Sequence, residues 1–138
     1  MAIYAMDKAR AGLKADAGYD RVESFPAGDT IPFGVAVGKE AAGSIVVGAA
    51  TGLAGVSLHT HTRNDNYDEF DSVSVLTRGL VWAQATGTIT EGGAASFNAS
   101  GVFSDTGTAY PNAVFRSGKE TMSDGVELVL VELHSPLA

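Results

Sequence analysis

From Val22 onward the hydrophobic positions recur with a period of two, the repeat of a strand whose successive side chains face opposite sides. Ile31, Phe33, Val35 and Val37 fall on one face, while Pro32, Gly34, Ala36 and Gly38 fall on the other. The large face belongs in a core, and the small face admits close approach by another layer or a second subunit. Pro32 has no amide hydrogen, which confines it to a strand start or a sheet edge. Residues 44–47 and 53–59 continue the alternation, separated by Gly48 and Gly52. Residues 113–116 predict a short strand. Gly125 then introduces residues 126–133, apolar on both faces through their middle, which suits a central strand covered on both sides.

Two stretches predict β-hairpins with the same turn chemistry. Residues 72–76 and 80–84 flank Thr77-Arg78-Gly79, and residues 96–98 and 102–104 flank Ala99-Ser100-Gly101. In each loop Gly comes last, where a type I turn followed by a left-handed residue favours a side chain without Cβ. Trp82 lies on the first hairpin and is expected to pack in the core or between layers. Residues 1–20 read differently. Residues 5–15 hold helix formers, but Gly12 interrupts them and the apolar spacing is poor. A lone helix of that length is marginal, so these residues predict an N-terminal arm with about one or two helical turns that orders by docking on a partner. Residues 21–138 form the single β domain. With about eight to ten short strands, the predicted fold is all-β, a jelly-roll or β-barrel-like sandwich with an N-terminal arm.

Composition narrows the function classes. The 17 glycines are spread singly, as expected of strands joined by tight turns. A formal charge of −7, with scattered basic residues, argues against a nucleic-acid partner, because such binders cluster Lys and Arg against phosphates. No apolar run approaches the roughly 18 residues of a membrane span. The first residues lack the charged-then-apolar order of a secretory signal. With no cysteine, disulfides and thiolate zinc sites are excluded, and synthesis in a reducing compartment fits.

Candidate chemistry is sparse. His59 and His61, alternate residues on a strand, would share a face, with Glu69 downstream and His134 near the C-terminus. This set resembles the first motif of a cupin, and a small cupin-like metal-binding enzyme using the His59/His61 pair is the alternative function. The spacing departs from that motif between Gly55 and His59 and between His61 and Glu69, and no second motif precedes His134. Asn64, Asp65, Asn66 and Asp68 match a calcium loop in composition only. Glu69 and Val75 stand where an EF-hand requires Gly and a bidentate Glu. Residues 34–39 are too short between glycines for a phosphate loop, and Glu40 replaces the magnesium-binding hydroxyl. No catalytic, cofactor-binding or metal residue is assigned, and no cofactor is expected.

Two blocks carry a resemblance. One is Glu23-Ser24-Phe25-Pro26-Ala27-Gly28-Asp29-Thr30-Ile31-Pro32-Phe33-Gly34-Val35-Ala36-Val37. The other is Asp71-Ser72-Val73-Ser74-Val75-Leu76-Thr77-Arg78-Gly79-Leu80-Val81-Trp82, followed by Gly92-Gly93-Ala94-Ala95-Ser96-Phe97 and Val129-Leu130-Val131-Glu132-Leu133. In their order and spacing, across most of residues 22–134, they resemble the structural cement, or capsid decoration, proteins of tailed bacteriophages. The resemblance implies a non-enzymatic β-barrel or jelly-roll-like module, made in the host bacterial cytoplasm. It also implies a homodimer bound to the outer surface of an icosahedral shell of HK97-type major capsid protein, where it clamps neighbouring capsomers. Neither nucleic acid nor membrane is an expected partner. The family supplies no catalytic residue to carry over.

Overall fold

The computed structural model describes residues 11–12, 14–40, 43–48, 52–60, 66–122 and 125–134. Among them the chain forms strands only: β1 (Lys14–Pro26), β2 (Ile31–Pro32), β3 (Ala36–Lys39), β4 (Ile45–Val47), β5 (Leu53–Ser57), β6 (Asn66–Tyr67), β7 (Ser72–Gln84), β8 (Ala94–Phe97), β9 (Phe103–Ser104), β10 (Thr108–Phe115), β11 (Glu120–Thr121) and β12 (Glu127–Leu133). The all-β, barrel-like expectation holds, with more strands than the sequence predicts, two of them, β1 and β7, thirteen residues long. One antiparallel sheet runs β4-β3-β5-β7-β12-β10-β8-β9, with β1 added on β7 and β11 on β12. The pair β2-β6 stands apart, and Pro32 lies on it, away from any central ladder.

β7 organises the molecule. At Val75 and Leu76 it is flanked by β1 and β5; at Leu80 and Val81 it is flanked by β1 and β12. From β7 the sheet curls back in both directions. On one side β12, β10, β8 and β9 return to its end, where Ala85 bridges Phe103 and the Thr86 N–H donates to Phe103 O at 2.8 Å. On the other side β5, β3 and β4 return to the end of β1, where Ala27 bridges Ile45 and the Gly28 N–H donates to Ile45 O at 2.8 Å.

Two apolar clusters fill the molecule, and β3, β5 and β7 contribute to both. Ile31, Phe33, Val35 and Val37, the predicted large face, all enter the cluster built with Val73, Val75, Ile45 and Tyr67. Phe97, Phe103, Tyr110, Phe115, Val129 and Val131 fill the other. Phe103 meets Phe115 edge-on at 6.4 Å between centroids, an arrangement aromatic pairs favour. The small face is covered by the chain itself. Ala36 is buried in the second cluster, its N–H donates to Gly101 O at 2.9 Å, and Ala11 and Gly12 lie against Gly34.

The first predicted hairpin is corrected. Thr77-Arg78-Gly79 is not a turn, because β7 runs through it unbroken. Arg21 pairs with Arg78 and Val22 with Leu76, leaving Thr77 as an extra residue on β7, a β-bulge. Thr77 is buried, and its hydroxyl donates to Arg21 O at 3.2 Å. An added residue inverts the period-two phase of everything after it. Val73 and Val75 therefore face one cluster, whereas Val81 and Ala83, also odd-numbered, face the other. The bulge lies where the edge of β7 passes from β5 to β12. Local turn chemistry misled here because a bulge and a hairpin both favour a glycine of unusual φ; Gly79 has φ 131°.

The second predicted hairpin holds. β8 and β9 pair, the Asn98 N–H donates to Val102 O, and Gly101 has φ 76°. Asn98 Oδ1 also accepts from the N–H groups of Ser100 and Val102, at 2.9 and 3.1 Å. β12 lies centrally as expected, between β7 and β10, but only its inner face, with Val129, Val131 and Leu133, is fully covered; Leu130 on the other face is half-buried. Trp82, its neighbour across the ladder at Leu130, is not in either main core. It is half-buried on the outer face beside Met122, Leu128 and Val126, because the phase set by the bulge sends Val81 and Ala83 inward instead. At the N-terminal end, β1 begins at Lys14, so residues 14–20 extend the sheet on β7 and the predicted arm boundary falls inside a strand. The rest of the predicted helical stretch, residues 5–10, lies outside the described residues.

Candidate functional site

Of the imidazoles singled out in the sequence, His59 and His134 are engaged separately. His59 follows β5; its N–H donates to Gly12 O at 3.0 Å and its ring meets Phe33 edge-on, centroids 5.0 Å apart. His134 follows β12, and its Nε2 lies 3.0 Å from Glu132 Oε2. Glu132 also accepts from Arg116, and the Arg116 guanidinium, with a smaller contribution from His134, holds the Glu132 carboxyl below the usual range. Glu69 is exposed ahead of β7. His61 lies outside the described residues, as do Asn64 and Asp65 of the acidic loop. Among the described residues, no group of three or more His, Cys, Asp or Glu side chains could hold a metal ion.

The described end of the acidic loop is a turn held by its own groups. The Asp71 N–H donates to Asp68 O at 3.0 Å, and Asp71 Oδ2 accepts from the Asp68 N–H at 2.7 Å. Residues 34–39, weighed as a phosphate loop, lead into and form β3. Ser57, fully buried on β5, donates from Oγ to Pro32 O at 2.6 Å and accepts from the Val35 N–H at 3.2 Å. Gln84 Nε2 donates to Phe33 O at 2.8 Å. These polar groups fasten residues 32–35 onto the sheet, a structural task.

Two ionisable side chains sit deep in the cores: Tyr67, whose hydroxyl donates to Leu58 O at 2.7 Å, and Tyr110. Tyr110 is 3% exposed, and its hydroxyl finds no hydrogen-bond partner among the described residues. Burial pushes its ionisation well above the ordinary value, since a phenolate would lose its water there. Enclosed among Phe97, Phe103 and Phe115, it offers nothing to a ligand. The groups that face solvent are more informative. Phe70, beside the end of the ladder where Pro26 of β1 meets Ser72 of β7, is 83% exposed; Val22, within that ladder, is 42% exposed. Weighing Asn64, Asp65, Asn66 and Asp68 as a calcium loop passed over Phe70; its one signal was a large aromatic among carboxylates.

Comparison with known proteins gives this geometry a relative. A chain from "The capsid of Myoviridae Phage XM1" has the same fold, with a TM-score of 0.75 and 18% sequence identity over 96% of this chain and 94% of that chain. No curated protein matches the sequence. The family described as structural cement protein (E217 gp24/Pam3 gp6) matches residues 2–134. That match spans both curls of the sheet, the strand they share and the residues ahead of β1, so the chain belongs to the structural cement protein family of phages.

Proposed function

We propose that this protein is a non-enzymatic cement protein that binds the outer surface of an icosahedral phage shell and stabilises contacts between neighbouring capsomers. The family match over residues 2–134 carries this reading. Its partner is the major capsid protein of HK97-type fold, and it acts as a homodimer after synthesis in the host bacterial cytoplasm. A two-fold dimer would present identical patches to related shell surfaces. Contacts to several subunits at once would then bind far more tightly than any one of them, by raising the effective concentration of the others. The architecture supports such a brace: both curls are tied to β7, so the separation of their outer surfaces is set by the sheet.

Heating purified particles with and without the protein tests the reading. Depleted shells are expected to open at lower temperature and lower chaotrope concentration, and adding the protein back is expected to restore them. Equal resistance of both preparations overturns it. Sedimentation of the isolated protein tests the dimer, and a single monomeric species at micromolar concentration counts against that part.

A further inference from the structure

Phe70 combines features that folding alone does not explain. It occupies the third position of the turn closed by Asp71 N–H and Asp68 O, with φ 75°, a conformation Gly or Asn ordinarily supplies. A bulky residue held there is strained and persists only when its surroundings over-determine it. They do so here. The Phe70 N–H donates to Ala27 O at 2.9 Å, and the Ala27 N–H donates to Asp71 O at 2.8 Å. The ring gains nothing in return from the core, since it is 83% exposed. It stands beside a shallow groove lined by Ser24, Phe25, Pro26, Phe70, Asp71 and Ser72.

We propose that Phe70 is the anchor of the docking surface, inserted into an apolar socket rimmed by Lys or Arg on the shell. This rests on the capsid-binding reading above. Charge selects the occupant. Asp68, Glu69 and Asp71 surround the ring in sequence, while Lys39 Nζ lies over the Phe25 ring at 4.6 Å. A second copy seated on the same patch would bring two sets of carboxylates together, and like charges across an interface oppose binding. A basic-rimmed partner gains from them. A buried aromatic ring inside a charged rim is the usual arrangement of a binding hot spot.

The test uses the full chain and particles depleted of it. Wild type, Phe70→Gly and Glu69→Lys are titrated onto shells at low and high salt, and each isolated protein is melted and sedimented. Phe70→Gly is expected to melt at or above wild type, because Gly relieves the φ strain, yet to need at least about thirtyfold more protein for equal occupancy. Glu69→Lys is expected to weaken binding at low salt by a factor that shrinks at high salt. Saturation of shells by Phe70→Gly at wild-type concentrations overturns the proposal. So does conversion of a wild-type dimer to monomer by Phe70→Gly, which would make a second copy the occupant. Failure of wild type itself to bind would remove the capsid-binding reading, and the anchor with it.

Discussion

Tyr110 shows how a single group can oppose the fold that contains it. A buried hydroxyl without a partner forfeits its hydrogen bonds to water, at about 1–3 kcal/mol. Tyr110→Phe keeps the ring and its contacts with Phe97 and Phe103 while removing that loss. Chemical denaturation of the variant is therefore expected to show a gain of about 1 kcal/mol. The same residue sets a pH dependence. Its ionisation is raised in the fold from an ordinary 10.0, so the stability tied to the neutral phenol is complete below that pH. It is lost as pH rises, because the unfolded chain then releases a proton that the native chain retains, by up to about 1.4 kcal/mol per pH unit. Tyr67, also raised by burial, acts in the same direction. Melting temperatures measured from pH 9 to 11 should fall less steeply in Tyr110→Phe than in wild type. Glu132 works at the other end: its lowered ionisation contributes above its ordinary 4.5, and the contribution is lost as pH falls.

At the scale of elements, two glycines of similar local sequence do different work. Adding Cβ to Gly101 would bring it 2.6 Å from Ala36 O, and at Gly79 it would come 2.9 Å from Asp20 Cβ, each at positive φ. Valine at either site should destabilise by about 2–4 kcal/mol in urea titrations. Deleting Thr77 separates bulge from turn more sharply. Without the extra residue, Val81 and Ala83 would rotate away from their cluster, so the variant should lose its cooperative melt; a native-like melt would show that the phase inversion is unimportant. The hairpin at 96–104 was legible because Asn98, Ser100 and Gly101 settle it among themselves. The bulge was not, because whether the chain reverses at Gly79 depends on β1 and β12, distant in sequence. β1 was hidden for a related reason: Lys and Ala at its start favour helix, and pairing with β7 overrides that weak preference. The apolar positions Ile31, Phe33, Val35 and Val37 were plain to read, but the break between them was not. A turn at Phe33 and Gly34, with φ 74° at Gly34, divides the expected strand into β2 and β3 on different sheets. As for the site, sequence chemistry drew attention to His59 and His134, which make separate contacts, and to His61, outside the described residues, while the strain at Phe70 is invisible without backbone angles.

For the whole molecule, the described residues nearest the N-terminus belong to the fold. The Gly12 N–H donates to Trp82 O at 2.7 Å, and Lys14 pairs with Asp20 at 2.6 Å. Removing residues 1–10 should leave the melting temperature of the isolated protein within a few degrees of wild type while lowering its occupancy on shells. Removing residues 1–20 should lower the melting temperature as well, since it takes away the start of β1. Unchanged occupancy after the shorter deletion would show that residues 1–10 have no part in docking. Because both curls of the sheet branch from β7, a cut between them would divide the strand on which each is built. Tension applied to either curl passes to the other through the continuous backbone of β7, and the hydrogen bond from Ala36 to Gly101 ties the two a second time.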